Sequence, residues 1–147
     1  MRTIVEKSIT ANVPAATAYA QWTRPEEFPL FLEHVDFVHR EDDRHFFWRT
    51  KLHGRTQEWM AEIVERIPKK RIAWRSTRGA QHAGVVTFHH LEQDKCRIML
   101  QIGIEPEGVV ERIGTALGIP AADIGDELRR FANHVEQQAR KQHDGTS

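Results

Sequence analysis

Between Val35 and Glu105 the chain passes through six short runs rich in β-branched and aromatic residues: VDFVHR, HFFWRTKLH, TQEWMAEIVERI, RIAWRST, AGVVTFHHLE and KCRIMLQIGIE. The turn signals between them, at 41–44, 54–55, 68–70, 78–81 and 93–94, keep every link to five residues or fewer. That brevity is the strongest constraint in the sequence. Parallel neighbours need a crossover of about a dozen residues or more, whereas antiparallel neighbours need only a tight turn. The middle of the chain is therefore an antiparallel meander of about six strands, and TIVEKSIT (3–10) adds a seventh.

Helical segments flank the meander. Asn12-Val13-Pro14 supplies a capping residue and a first-turn proline for AATAYAQW, Thr23-Arg24-Pro25 breaks that helix, and EEFPLFLEHV makes a second short one limited by Pro29. Beyond Glu105-Pro106-Glu107-Gly108, VVERIGTALG forms a short helix ending near Gly118, and Pro120 starts the last one. There Ile124, Leu128, Phe131 and Val135 are spaced 4, 3 and 4 apart, one apolar stripe on a helix running to about Gln142. Asp126, Arg129, Arg130, Gln137 and Arg140 occupy the opposite face. The class is α+β: a long amphipathic helix laid across a one-sided sheet, as a single domain over 1–142 with a flexible tail at 143–147.

Strand parity sorts the side chains. A two-residue turn at Gly54-Arg55, glycine first as a type II′ turn requires, sets Lys51 opposite Glu58, Thr50 opposite Trp59, Trp48 opposite Ala61 and Phe46 opposite Ile63. One face then collects Phe46, Trp48, Thr50, Leu52, Trp59, Ala61 and Ile63, while Arg49, Lys51, Glu58 and Glu62 face water. Trp74 and Ser76 share the parity of Ile72 and join the apolar face. The last hairpin has two registers: a turn at Gln93-Asp94 pairs Phe88 with Met99, and a loop one residue longer pairs Phe88 with Ile98 and Val86 with Leu100. The second is favoured, because it gathers Val86, Phe88, Ile98, Leu100 and Ile102 on one side.

Composition removes several functions. The 147 residues carry 21 basic and 21 acidic side chains, so the basic excess that drives nucleic-acid binding is missing. No apolar run approaches the roughly 20 residues of a membrane span, and MRTIVEKSIT alternates charge with Ile4 and Val5 instead of forming a signal peptide. The single Cys96 allows no internal disulfide and fits a reducing, bacterial-type cytoplasm. HExxH, CxxC, GxSxG and phosphate-binding glycine loops do not occur. Adjacent His89 and His90 point to opposite faces of a strand, so neither a metal nor a cofactor is expected; His90, on the parity of Phe88, belongs at a cavity edge or a solvated strand end. RIPKKR (66–71) suits an exposed turn.

AYAQWTRPEEFPLFLEHV (18–35), EWMAEIVERIPKKRIAWRSTRG (58–79), GVVTFHHL (84–91) and the IEPEG turn before DELRRFANHVE (126–136) resemble the START-like (SRPBCC) superfamily of bacterial polyketide cyclase/dehydrase and lipid-transport proteins. The resemblance spans nearly the whole chain. It implies a helix-grip fold of the START/Bet v 1 type, a sheet of about seven strands curved around the C-terminal helix, with a cavity between them that holds lipids, polyketides, quinones or other hydrophobic molecules.

On that basis the candidate ligand-binding residues are Phe28, Phe31, Trp48, Thr50, Trp59, Trp74, Ser76, Phe88, Leu128 and Phe131. Indoles and phenyl rings can wall an apolar pocket, and the same rings equally suit a plain core between sheet and helix. Acid–base chemistry needs an inward group with a shifted pKa, and only Thr50 and Ser76 are inward and polar in this reading, with no base beside them. The leading expectation is a domain that binds a small hydrophobic molecule, a lipid, polyketide, quinone or similar aromatic, between the sheet and the C-terminal helix. Its alternatives are a polyketide cyclase/dehydrase-type enzyme with no identifiable catalytic set, and an interaction or regulatory module, for instance a homodimer formed through the sheet edge.

Overall fold

The computed structural model describes residues 2–79, 81–104 and 121–144. In chain order these form β1 (Arg2–Ala11), α1 (Ala15–Trp22), a 3-10 helix (Pro25–Leu30), β2 (Val35–Arg40), β3 (His45–Leu52), β4 (Arg55–Ile67), β5 (Arg71–Gly79), β6 (Ala83–Glu92), β7 (Lys95–Ile104) and α2 (Ala121–Asp144). The helix expected over 109–118 lies outside the described residues. The strands make one curled antiparallel sheet in the order β1-β7-β6-β5-β4-β3-β2. Six strands follow the meander, and β1 closes onto β7, so α1 and the 3-10 helix carry the chain from one sheet edge to the other. The helix-grip expectation stands.

Two registers differ from, or add to, the sequence expectation. The β3–β4 turn consists of His53 and Gly54, both with positive φ (50° and 78°), and Leu52 pairs with Arg55. This is the two-residue turn whose twist matches the flanking strands, and histidine is among the side chains that enter the left-handed region more readily. Trp48 therefore faces Trp59, Phe46 faces Ala61 and Arg49 faces Glu58, two residues from the expected pairing. A shift of two preserves which face each side chain occupies, so the inward set is unchanged. The β6–β7 hairpin contains both features that the sequence offered as alternatives. Glu92 pairs with Lys95 across Gln93-Asp94, then a bulge at Leu91 restores Phe88 opposite Ile98 and Val86 opposite Leu100.

The stripe of α2 is buried as its spacing implies: Ile124, Leu128, Phe131 and Val135 lie in the core with Val86, Phe88, Ile98 and Leu100 of the sheet. α2 runs to Asp144, two residues past the expected end. The N-cap of α1 is Pro14, in extended geometry and without a side-chain cap, rather than Asn12. Asn12 instead gives its backbone N–H to Glu136 Oε2 at 2.9 Å, tying the end of β1 to α2.

Candidate functional site

Sheet, crossover and α2 surround a cavity of about 140 Å³. Its sheet wall is set by strand parity, with Trp48 and Thr50 from β3, Trp59 and Ile63 from β4, and Trp74 from β5. Phe28 of the 3-10 helix and Leu128 and Phe131 of α2 form the other side. Trp48 and Trp59, cross-strand partners, stack with centroids 5.8 Å apart and planes at 9°. Phe28 meets Trp48 edge-on at 5.7 Å and Phe131 at 5.9 Å, so the two walls touch around the open space. Solvent-exposed Arg66 belongs to the wall together with Thr23 and Pro25, which places the end of β4 where the cavity meets solvent.

Three residues named from the sequence lie outside this wall. Phe88 is buried behind it, edge-on to Tyr19 at 5.8 Å and Trp22 at 6.2 Å. Phe31 stacks on His134 of α2 at 3.8 Å and 3°. Ser76 acts at one remove: its Oγ accepts the His82 N–H at 3.0 Å, and its own N–H goes to the His82 carbonyl at 2.9 Å. The effect is to hold His82, itself a wall residue and 5% exposed, where its Nε2 accepts the Trp74 indole N–H at 3.2 Å. An Nε2 that accepts leaves the proton on Nδ1, so this bond defines the neutral tautomer. His82 also meets the edge of Trp59 at 5.1 Å. His90 is exposed.

Sequence reasoning missed Trp22, His82 and Glu127. Trp22 completes the aromatic wall, 4.9 Å from Phe131 and 5.4 Å from Phe28. Its spacing from buried Ala15 and Ala18 gives i, i+3, i+7 on α1, a signal available in the sequence. His82 sits between β5 and β6, where no periodicity applies.

Glu127 is the chemically significant omission. It follows Ile124 by three and precedes Phe131 by four, so it falls inside the apolar stripe of α2, and its side chain is 10% exposed. Oε1 accepts the backbone N–H groups of Glu33 at 3.0 Å and His34 at 3.3 Å, and Arg130 Nη1 at 3.2 Å. Oε2 is buried without a hydrogen-bond partner. Burial raises the Glu127 pKa above its ordinary value, opposed by the two backbone N–H groups and the nearby positive charge. Glu33, His34 and Glu127 bring three ligand-type atoms within 4.8 Å of one another. A cation is already there: Arg130 bonds Glu33 Oε2 at 2.6 Å and Glu127 Oε1 at 3.2 Å, and its charge would repel a metal ion.

On the opposite side of the 3-10 helix Arg40 fixes the cavity rim. It binds the Glu26 carboxylate through Nε (2.7 Å) and Nη2 (3.2 Å) and reaches the Thr23 carbonyl at 3.0 Å. Burial alone would raise the Glu26 pKa, but the Arg40 bonds and charge carry it below the ordinary value.

With this geometry in hand, the sequence pattern of the family described as polyketide cyclase/dehydrase and lipid transport matches residues 11–131. The chain belongs to the polyketide cyclase/dehydrase and lipid transport family. A relative of this family member, an uncharacterised 17.2 kDa protein of Streptomyces lincolnensis from the melC2–rnhH intergenic region, is 40% identical over 138 residues, 93% of this chain and 92% of that one. Among solved structures, the ZhuI aromatase/cyclase of a Streptomyces species matches with a TM-score of 0.75 at 12% identity, over 94% of this chain and 95% of that one. A START superfamily protein of Mycobacterium smegmatis matches with a TM-score of 0.69 at 13% identity, over 95% and 99%. At such identities the two structures speak for the helix-grip fold of the family and for nothing finer. Among the described residues no helix is long and apolar enough to cross a membrane.

Proposed function

We propose that this family member binds a small, largely hydrophobic molecule, such as a lipid, polyketide, quinone or similar aromatic, in the cavity between sheet and α2. The observation that carries the reading is the open space walled by Trp22, Trp48, Trp59 and Trp74 together with Phe28 and Phe131. A core with no ligand to hold would close around such rings, since protein interiors pack to crystal density. Sequestration supplies the affinity: each Å² of apolar ligand surface removed from water contributes roughly 25 cal/mol, and a few polar groups set orientation. In this reading Phe28, Trp48, Thr50, Trp59, Trp74, Leu128 and Phe131 touch the ligand, while Phe31, Ser76 and Phe88 support those that do.

Native mass spectrometry of the purified protein tests this directly. A co-purified small molecule, or uptake of an added aromatic polyketide with a change in tryptophan fluorescence, is the expected result; a cavity that takes up neither apolar lipids nor polycyclic aromatics sinks it. The same spectra count subunits and so decide the homodimer.

Glu127 favours a second reading, a cyclase/dehydrase-type enzyme working in the same cavity. A buried carboxylate with a raised pKa and fixed donors on one oxygen is the kind of group that moves protons in an apolar site. Loss of turnover of a poly-β-keto substrate in Glu127→Gln, with binding retained, is its signature.

A further inference from the structure

We infer that the molecule held in the cavity carries a hydroxyl, phenolic or enolic, and that Glu127 Oε2 accepts its hydrogen bond. The inference rests on the ligand-binding reading and deepens it. The two oxygens of Glu127 are unequal. Oε1 is saturated by the Glu33 and His34 amides and the Arg130 guanidinium. Oε2 has no partner, though the residue forms part of the cavity wall. A buried acceptor left without a donor is rare and costly, and such an atom in a native fold calls for a specific reason. A donor delivered by the ligand is one that the fold itself provides for, because the Oε1 bonds hold the carboxylate in that wall.

The count of donors selects the ligand chemistry. Beside Glu127 the wall is apolar, formed by Ile124, Leu128 and Phe131 on α2 and by Leu32 and Val35 next to the two amides. An ammonium brings three N–H donors to one vacant acceptor and leaves the remainder buried against hydrocarbon. A bare hydrocarbon, a ketone or an ether brings none. A hydroxyl brings one, and a hydrogen bond to a carboxylate is shorter and stronger than a neutral one. The remainder of such a ligand is apolar and planar, to lie among the indole and phenyl faces.

The probes are 2-naphthol, 2-methoxynaphthalene and 2-(aminomethyl)naphthalene, titrated into the full-length protein at neutral pH by calorimetry or tryptophan fluorescence. The expected result is that the naphthol binds at least about tenfold more tightly than the ether or the amine, the size of one charge-assisted hydrogen bond. In Glu127→Gln the amide oxygen can keep the Glu33 and His34 bonds and an N–H donor replaces the Oε2 acceptor, so the preference is lost and the ether binds at least as well as the naphthol. Equal binding of naphthol and ether to the wild type, tighter binding of the amine, or an unchanged preference in Glu127→Gln overturns the inference and leaves the hydrophobic-ligand reading intact. Failure of all three probes to bind the wild type overturns the inference, and overturns the hydrophobic-ligand reading as well when added apolar lipids and aromatic polyketides are not taken up either. The wild-type comparison stands whether or not the variant folds.

Discussion

The indole of Trp74 lies directly across Gly84, its cross-strand partner on β6, so close that a Cβ on Gly84 would overlap the six-membered ring. Glycine here makes room for a cavity wall rather than for a turn. Gly84→Ala drives the ring away from β6, and the open cavity is the space that can receive it. The expected outcome is a modest stability loss, about 1 kcal/mol, at the low end of the overpacking range because the ring has somewhere to go. Binding of an aromatic ligand falls by an order of magnitude or more. Chemical denaturation and ligand titration, run on the same variant, check the two parts separately.

The stacked Trp48–Trp59 pair is a cross-strand contact on the cavity side of the sheet. A double-mutant cycle with Trp48→Leu and Trp59→Leu is expected to return a coupling of about 1 kcal/mol, as aromatic pairs contribute beyond their buried area. A coupling indistinguishable from zero would show that the two rings do not stack in solution.

Two histidines titrate on opposite sides of the ordinary value. His134, under Phe31, has its pKa lowered by burial, whereas His45, bonded first to Asp42 and then to Glu62, has its pKa raised. The signs differ accordingly. The His134 contribution to stability is complete above about pH 6.5 and is lost as pH falls through its lower folded pKa. The His45 contribution is complete below about pH 6.5 and is lost as pH rises through its higher one. NMR titration of the imidazole signals should place His134 below and His45 above the model-peptide midpoint; the reverse order would contradict the geometry.

The fold was legible in the sequence because its signals are redundant. Six runs with short links admit little except an antiparallel meander, and the α2 stripe says where the helix lies. The inward set survived even the misplaced β3–β4 turn, since moving from Gly54-Arg55 to His53-Gly54 displaces the pairing by two and turns no side chain over. Leu91 was harder, for a bulge shifts register by one and leaves no composition mark of its own. The polar part of the cavity was least legible. Glu127 is polar and so carries no signal in an apolar stripe, and His82 owes its place to Ser76 and Trp74, contacts that only the folded chain creates.

Cys96, fully buried on β7, has its thiol pushed up to about 11, by burial first and by the Glu136 carboxylate second. At about pH 8 the thiolate fraction falls on the order of 100-fold below that of an ordinary cysteine, and burial blocks access besides. Native protein is expected to resist a thiol-directed disulfide reagent and to react with one equivalent after unfolding in urea. Rapid labelling of the folded protein would place Cys96 at the surface.

The route of the chain between β1 and β2 has a mechanical consequence. These strands are the two outermost of the curled sheet, and the segment joining them, with α1 and the 3-10 helix, spans the concave side like the string of a bow. Phe28 sits on that string, and Arg40 near the end of β2 fastens it at Thr23 and Glu26. A load that a guest places on Phe28 is therefore carried along the string and, through Arg40, to the β2 margin, so an event inside the cavity is felt at the rim of the sheet.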